Sequence, residues 1–230
     1  MWAFSINSTT GALTQISGSP YSFNGNGPCT SLTMNPAGTF LYVLCTPASP
    51  ASQVLGFSVD PSTGALTALP GSPFSVPQDP SELFMHPSGN FLYIADLNNN
   101  AIDGYAISAN GTLSAVPGSP FAGGTEPQTL TVTPSGGFLY SASWQTGDLY
   151  GYSIDSTTGA LTQLAGAPYN VEPSLTGIAV DQTGQFLLVG DSSSNVVAEL
   201  PIGLGTGVPG TFTTYQAGTY PFRIAVITLP

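Results

Sequence analysis

The chain has 230 residues, of which 41% are hydrophobic and 6% charged, so it can bury a core and is not intrinsically disordered. A single arginine stands against twelve carboxylates, and the net charge of −11 excludes nucleic acid and anionic membrane surfaces as partners, because both are bound through Lys and Arg. No apolar stretch approaches the ~20 residues of a transmembrane helix, and the first residues do not form a signal peptide. The sequence therefore predicts neither membrane insertion nor an export signal within this chain.

The first predicted elements are two short strands within residues 2–16, joined by a turn that begins with Asn7 and ends with Gly11. An Asn or Asp side chain accepts a hydrogen bond from the backbone two residues further on, and Gly adopts the left-handed conformation that closes the turn. Related turns follow at residues 60–64, 108–111 and 155–159. Each of them predicts an antiparallel hairpin.

A second family of turns starts with a polar residue and ends with Gly, at residues 35–38, 86–89, 133–136 and 181–184. In three of the four turns, Pro presets φ at the second position. Each turn is followed by a run typical of a β-strand, at Phe40–Val43, Phe91–Ile94, Phe138–Ser141 and Phe186–Val189. These runs begin 51, 47 and 48 residues apart.

Two further landmarks repeat in step with these runs. A small residue followed by an alternating segment recurs at residues 3–6, 56–59, 104–107 and 151–154, and a Gly-Ser-Pro or Gly-Ala-Pro segment at 18–20, 71–73, 118–120 and 166–168. Each repeat therefore contains four strands, which we call A to D. The repeat that is easiest to divide predicts A near Ser81–Met85, B near Phe91–Asp96, C near Ile102–Ser108 and D near Thr112–Val116.

A four-stranded sheet of this size cannot bury both of its faces alone, so other sheets must stack on it, and stacking around an axis also protects the edges. The sequence predicts an all-β fold, a β-propeller of four-stranded antiparallel blades in one domain of residues 1–230. The repeats run approximately over residues 1–27, 28–79, 80–126, 127–173, 174–218 and 219–230, the first and last being partial. We expect about five blades, one of them assembled from residues 2–16 and a further A strand at residues 222–228. A larger propeller, cut short at either end, fits the repeat equally well.

The small residue near the middle of strand C is Gly56, Gly104 or Gly151 in three of the repeats. Glycine in a strand lets another part of the chain approach where a Cβ would intrude. We expect these glycines to let adjacent blades pack closely.

The motifs Phe-Leu-Tyr-Val/Ile, Thr-Gly-Ala-Leu-Thr and Gly-Ser-Pro-Phe, in fixed order, resemble those of the seven-bladed propeller lactonases. These comprise the 6-phosphogluconolactonase-like family and its surface-layer relatives with the Tyr-Val-Thr-Asn repeat. The resemblance covers nearly the whole chain. It implies a site near the mouth of a central channel, where lactonases hydrolyse sugar lactones, and cycloisomerase relatives close muconate lactones, with His, Arg and Glu side chains.

The resemblance transfers few functional residues to this chain. Ser81 stands where the family has a His, directly after the Pro that begins one A strand, and Glu82 follows it. The family's late Pro-Arg step resembles Pro221-Phe222-Arg223, with the Arg displaced by one position, which in a strand directs it to the opposite face. Glu82 and Arg223 are therefore the candidate catalytic residues. A lactone carrying phosphate or carboxylate needs cationic donors, and Arg223 is the only one.

The chain's single histidine and its two cysteines have structural interpretations. His86 is predicted to be a turn residue, because Asn35, Thr133 and Asp181 hold the same place in the other repeats. Cys29 and Cys45 flank the first Pro-Gly hairpin and are candidates for a disulfide, unless an extra residue in that A strand forms a bulge that spoils their pairing. No cluster of Cys or His suggests a metal, and no motif suggests a cofactor.

Four aspartates and one tryptophan fall near the ends of the B strands. The aspartates are Asp96, Asp103, Asp148 and Asp191. They are expected to solvate loops rather than to bind Ca²⁺, since no compact Asp-x-Asp loop is present. Trp144 is a candidate contact for a sugar or peptide, with a partly buried loop anchor as the alternative.

Three functions remain open at this stage. The leading hypothesis is a non-catalytic interaction scaffold that binds an unidentified protein or carbohydrate. The first alternative is a lactone hydrolase whose catalytic residues lie outside this chain, and the second is a glycan-binding propeller. The near absence of Lys suggests an extracellular, periplasmic or cell-surface location, with the cytoplasm as the alternative.

Overall fold

Every regular element in the described part of the chain is a β-strand. The computed structural model describes residues 1–23, 27–46, 51–77, 79–171 and 173–226. An N-terminal hairpin consists of β1 (Phe4–Ile6) and β2 (Leu13–Gln15). Four larger antiparallel sheets follow, which we call blades I to IV.

The strands of each blade follow one another in the sequence. Blade I comprises β3 (Cys29–Met34), β4 (Phe40–Cys45), β5 (Gln53–Val59), β6 (Leu66–Ala68) and β7 (Phe74–Ser75). Blade II comprises β8 (Pro80–Met85), β9 (Phe91–Asp96), β10 (Ala101–Ile107), β11 (Leu113–Ala115) and β12 (Phe121–Ala122). Blade III comprises β13 (Pro127–Val132), β14 (Phe138–Ser143), β15 (Asp148–Ile154), β16 (Leu161–Gln163) and β17 (Tyr169–Asn170). Blade IV comprises β18 (Leu175–Val180), β19 (Phe186–Asp191), β20 (Val196–Pro201) and β21 (Thr213–Gln216).

The pairing confirms the predicted blade. In all four blades strand A pairs with B, B with C and C with D, each antiparallel. Strand D differs from the prediction in blades I to III, where it is broken into two short pieces that both pair with C. The break falls at the Gly-Ser-Pro segment of blades I and II and at the Gly-Ala-Pro segment of blade III. In blades I and II the serine hydroxyl accepts a strand C amide hydrogen, that of Gly104 by Ser119 at 3.0 Å and that of Gly56 by Ser72 at 3.0 Å. This hydroxyl satisfies a strand C donor at the point where strand D leaves the sheet.

Apolar side chains fill the spaces between consecutive blades. One cluster joins blades I and II through Leu44, Val54 and Ile94, and equivalent clusters join blades II and III, and III and IV. The A strands β3, β8, β13 and β18 contact one another in succession and form the inner edge of the arc. The all-β propeller architecture predicted from the repeat is therefore confirmed.

A buried tyrosine on strand B links each of the first three blades to the next. The hydroxyls of Tyr42, Tyr93 and Tyr140 donate to turn carbonyls of the following blade at 2.8, 2.8 and 2.6 Å, those of Gly111, Gly159 and Gly207. All three rings are fully buried. Because burial disfavours the phenolate, it raises the pKa of each hydroxyl, which stays a donor.

The strand C glycines lie among side chains of their own blades. A Cβ added to Gly104 would lie 2.7 Å from Val116, just after β11, and 3.3 Å from Phe121 of β12 and from Tyr93 of strand B. For Gly56 and Gly151, Leu69 and Leu164 would lie at 2.9 Å, and the strand B tyrosines Tyr42 and Tyr140 at 3.5 and 3.3 Å. The glycines therefore make room for side chains of strands B and D, several of which belong to the apolar clusters between blades.

The expected blade built from both chain ends does not form among the described residues. Strand β1 pairs with β2 alone, and residues 221–226 form no strand. The Pro221 carbonyl instead accepts a hydrogen bond from Thr176 of blade IV at 2.5 Å, just as the Pro127 carbonyl accepts one from Ser81 at 3.2 Å. The segment thus lies beside blade IV, where the next A strand would begin. Residues 227 and 228 of the predicted strand lie outside the described residues.

We expect Tyr93→Phe to lower the free energy of unfolding by about 1–2 kcal/mol, because it removes the buried bond between blades II and III and leaves the Gly159 carbonyl without that donor. Urea denaturation measures the change. The matched control is Tyr215→Phe, at an exposed position of β21, which should be neutral. Equal losses in the two variants would contradict the linking role.

Gly104→Leu should lower the melting temperature by several degrees, because the new side chain would meet Val116, Phe121 and Tyr93 at once. Gly218→Leu is the control, since a Cβ there meets nothing within 4 Å. Thermal unfolding followed by circular dichroism compares them, and an unchanged melting temperature for Gly104→Leu would show that the site tolerates a side chain.

Candidate functional site

A β-bulge at the start of every A strand shapes the inner edge of the arc. The register shifts between Pro80 and Glu82 in blade II, and the other three blades shift at the equivalent place. A bulge sets two residues opposite one and re-aims a side chain. The first residue after the bulge is Ser31, Glu82, Thr129 or Gly177 in blades I to IV.

The bulge residues themselves hold adjacent blades together. The Ser81 hydroxyl donates to the carbonyl of Pro127 in blade III and lies 3.4 Å from that of Ala95 in its own blade. Thr176 in blade IV makes the same pair of contacts, to the carbonyls of Pro221 and Gly190. Ser81, which stands where the family resemblance calls for a His, therefore has a structural role in this chain.

Glu82 lies at the inner edge with both carboxylate oxygens engaged. Its Oε2 accepts hydrogen bonds from the Thr129 hydroxyl at 2.7 Å and from the Leu130 amide at 2.9 Å. Its Oε1 forms an ion pair with the guanidinium of Arg223. Hydrogen bonds to charged groups are stronger than neutral ones, so these contacts fix the Glu82 side chain, of which 11% is exposed.

Arg223 reaches Glu82 because of where residues 221–226 lie. That it faces the side opposite to the family's arginine stays a prediction. The Pro221 carbonyl accepts a hydrogen bond from blade IV as the Pro127 carbonyl accepts one from blade II. Arg223, two residues after Pro221, therefore occupies the same position as Glu82, two residues after Pro80. The segment passes close to Gly177, where an added Cβ would lie 3.1 Å from the Arg223 Cα. The structure thus brings together the two candidate catalytic residues. Thr129 and Gly177 were missed, although alignment of the A strands puts both in the same column.

His86 is held in the A–B turn of blade II, as predicted. Its Nε2 lies 2.9 Å from the Gly136 carbonyl of blade III, and its Nδ1 lies 2.8 Å from the Ser88 hydroxyl and accepts from the Ser88 amide at 3.1 Å. These contacts fit a neutral ring with the proton on Nε2. His86 follows the far end of β8, four residues from Glu82, or about 13 Å along the strand. It takes no part in the site around Glu82.

Three of the four aspartates near the ends of the B strands, Asp96, Asp103 and Asp191, are buried, so the expectation that they solvate loops was wrong. Asp96 accepts two hydrogen bonds from Asn99, and Asp191 accepts from Ser193 and Ser194, so these two carboxylates cap B–C turns. Although burial acts to raise it, these serine donors leave the pKa of Asp191 below its ordinary value. Asp148 is half-buried at the start of β15.

Asp103 lies within β10, on the face of blade II that packs on blade I. It is 5% exposed, and its Oδ2 has no hydrogen-bond partner among the described residues. Burial, and secondarily the nearby Asp96 carboxylate, raises the pKa of Asp103 to about 6. Burying this carboxylate with one oxygen unpaired lowers the stability of the fold.

Cys29 and Cys45 are joined by a disulfide between β3 and β4, with their Cα atoms 3.9 Å apart. The bulge expected in this A strand is present, but it falls between Cys29 and Ser31, so Cys29 still lies opposite Cys45. Trp144 lies in the B–C turn of blade III and is 44% exposed. The described residues contain no group of three or more His, Cys, Asp or Glu side chains that could hold a metal ion. They also contain no helix with the length and apolar character to span a membrane.

Comparison with known proteins agrees with this architecture. Residues 68–176 match the family described as lactonase, 7-bladed beta-propeller. A candidate 6-phosphogluconolactonase from Bacteroides fragilis has a similar structure, with a TM-score of 0.75 at 20% identity over 96% of this chain and 66% of that one. A candidate 6-phosphogluconolactonase from Bacteroides uniformis has a TM-score of 0.76 at 17% identity, over 95% of this chain and 65% of that one. The periplasmic gluconolactonase of Pseudomonas aeruginosa has a TM-score of 0.72 at 18% identity, over 96% of this chain and 65% of that one. No curated protein sequence matches the chain.

These matches agree with the β-propeller fold: residues 68–176 match the lactonase family, and the fold resembles that of the solved structures over nearly all of the chain. The chain spans about two thirds of the length of the structures that it resembles.

The free energy of unfolding should depend on the Asp103 carboxyl. An unfolded Asp titrates near pH ~3.9, so between about pH 4 and 6 the folded protein holds a proton that the unfolded chain has lost. The stability contributed by this group therefore falls as the pH rises through that window. As the pH rises from about 4 to 6, we expect the free energy of unfolding, measured by urea denaturation, to fall by up to about 3 kcal/mol more in the wild type than in Asp103→Asn.

Asp60→Asn serves as the control for this experiment. Hydrogen bonds from the Thr63 backbone and hydroxyl, and from the Ser62 backbone, hold the pKa of the exposed Asp60 below its ordinary value, so it titrates below the window. Its loss should leave the slope above about pH 4 unchanged. Identical slopes for the wild type and Asp103→Asn would show that Asp103 does not carry the effect.

Proposed function

We propose that this chain acts as a non-catalytic interaction scaffold. The ion pair between Arg223 and Glu82 carries the proposal, because it engages both residues that would otherwise be candidates for catalysis. His86, the only histidine, has both ring nitrogens engaged in a turn. No Lys or second Arg exists in the chain to replace Arg223.

The chemistry of lactone hydrolysis supports this proposal. Attack on a lactone carbonyl develops negative charge on oxygen, and a phosphorylated or carboxylated sugar brings further negative charge; both need cationic or aligned hydrogen-bond donors. Arg223 shares its charge with the Glu82 carboxylate at the inner edge, and the chain as a whole has a net charge of −11. This environment disfavours an anionic substrate.

The disulfide between Cys29 and Cys45 supports an extracellular, periplasmic or cell-surface location, because such bonds persist in oxidising compartments. The near absence of Lys, which motivated the same proposal from the sequence, agrees with it. The partner of the scaffold is proposed to be a protein or a carbohydrate. Trp144 has the exposure that a glycan contact needs, and its binding role stays a prediction.

Lactone hydrolysis is the second candidate function. It is favoured by the match of residues 68–176 to the lactonase family and by the position of Glu82 and Arg223 together at the inner edge. Since the chain spans about two thirds of the length of the similar structures, this candidate places further catalytic residues outside residues 1–230.

Hydrolysis assays with the intact protein, including any polypeptide outside residues 1–230, distinguish the two functions, since residues 1–230 alone would show no turnover under either of them. With 6-phosphogluconolactone and with an uncharged gluconolactone, we expect no turnover above the uncatalysed rate, in either the wild type or Arg223→Ala. The control is Glu82→Gln, which removes the countercharge of Arg223 but keeps the size of the side chain. Turnover by the wild type that is lost in Arg223→Ala, while the variant keeps its circular dichroism spectrum, would overturn the scaffold proposal in favour of a lactonase.

A further inference from the structure

A groove opens at the outer side of the contact between blades III and IV, which we call the outer groove. It has a volume of about 520 Å³ and lies between β17 of blade III and the segment that leads into β21 of blade IV. Phe212 in its lining is 40% exposed, so the groove is open to solvent. Apolar side chains provide most of the lining: Tyr169, Val171, Leu200, Pro209 and Phe212.

The outer groove lies at a position that a tyrosine occupies in two other blades. Strand C carries Tyr105 opposite Leu92 in blade II, and Tyr152 opposite Leu139 in blade III. Both tyrosines belong to the apolar clusters against the preceding blade. At the same register, blade IV carries Leu200 opposite Leu187. Leucine supplies neither the ring nor the hydroxyl of a tyrosine.

Tyr152 shows how a phenol is held at such a position. Its side chain is 2% exposed, and its hydroxyl donates to the Ala122 carbonyl of blade II at 2.6 Å. Ala122 lies in β12, where it pairs with Ala101 of strand C. Asn170 of β17 pairs with Asp148 of strand C in the same way. The Asn170 carbonyl therefore has the place in blade III that the Ala122 carbonyl has in blade II.

The space at the two contacts differs in the same sense. The equivalent groove between blades II and III has a volume of about 310 Å³, and its lining includes Phe121, Ala122 and Tyr152. The outer groove, with Leu200 in place of Tyr152, is the larger of the two. A wet space with an apolar lining favours the burial of an aromatic ring.

We propose that the outer groove binds a tyrosine side chain of a partner protein. The ring packs against Leu200 and Phe212, and the hydroxyl donates to the Asn170 carbonyl, as that of Tyr152 donates to the Ala122 carbonyl. This inference rests on the proposed scaffold function, and it names the group by which a protein partner is held.

A tyrosine suits this lining better than a sugar does. A sugar carries several hydroxyls, and each one that is buried without a partner costs free energy. The lining is mostly apolar and offers few such partners. A phenol needs a single acceptor for its hydroxyl, and its ring gains from burial. The groove therefore favours a protein over a carbohydrate as the partner.

An NMR titration of the isotopically labelled chain tests the proposal. The probe is the peptide acetyl-Gly-Gly-Tyr-Gly-Gly-amide. We expect saturable shifts of the amide signals of Asn170, Val171 and Phe212, with a dissociation constant of about 1–10 mM. The same peptide with Phe in place of Tyr should bind about three- to tenfold more weakly, because it cannot donate to the Asn170 carbonyl.

Variants of the chain make the test specific. Leu200→Tyr supplies the ring from the chain itself, as in blades II and III, and should abolish binding of the peptide. Phe212→Ala removes part of the lining and should weaken binding about three- to tenfold. Phe186→Ala is the matched control, since Phe186 is also in blade IV, is 38% exposed and lies outside the lining of the groove.

No saturable binding to the wild type, or binding that survives both Leu200→Tyr and Phe212→Ala, would overturn the proposal. If Leu200→Tyr does not fold, the comparison of Phe212→Ala with Phe186→Ala decides, and equal binding by these two variants would overturn it. The hydrolysis assays test the scaffold function separately. Lactone turnover that is lost in Arg223→Ala would overturn that function without changing peptide binding, because Arg223 lies at the inner edge of the arc.

Discussion

The burial of one blade against the next is the constraint on which the rest of this structure depends. A four-stranded sheet with apolar side chains on both faces has no stable form alone, and here the facing sides of consecutive blades cover one another. The linking tyrosines add one buried hydrogen bond to each contact, which fixes the strand B of one blade against the C–D turn of the next. Where a neighbour is lacking, as beside Leu32, the same residues stay exposed.

The inner edge follows from this packing and from the bulges of the A strands. Successive blades bring their A strands side by side, and each bulge turns a side chain toward the neighbouring strand. In blade II that side chain is Glu82, which contacts blade III through Thr129 and Leu130. The same arrangement draws the only cation of the chain, Arg223, into an ion pair. The charge of Arg223 at the inner edge is thereby balanced by the Glu82 carboxylate.

Much of the fold could be predicted because the same pattern of strands and turns occurs four times in the sequence. The turns with Pro and Gly, the alternating runs and the Gly-Ser-Pro segments set the strand order of blade II, and they set the bounds of β8 to β11 to within one residue. The break in strand D was missed, because the two pieces that pair with strand C are each only two or three residues long. The atoms that a Cβ on a strand C glycine would meet are likewise visible only in the folded blade.

The sequence by itself determined the blade, the composition of its turns and the scarcity of cations. Tertiary structure alone decided which side chains meet. It paired Arg223 with Glu82 across 141 positions of sequence, and it buried Asp103 between two blades. The physical reason is that local propensities and turn chemistry act within a few residues, whereas desolvation and ion pairing depend on which blades are stacked and on the register of each bulge.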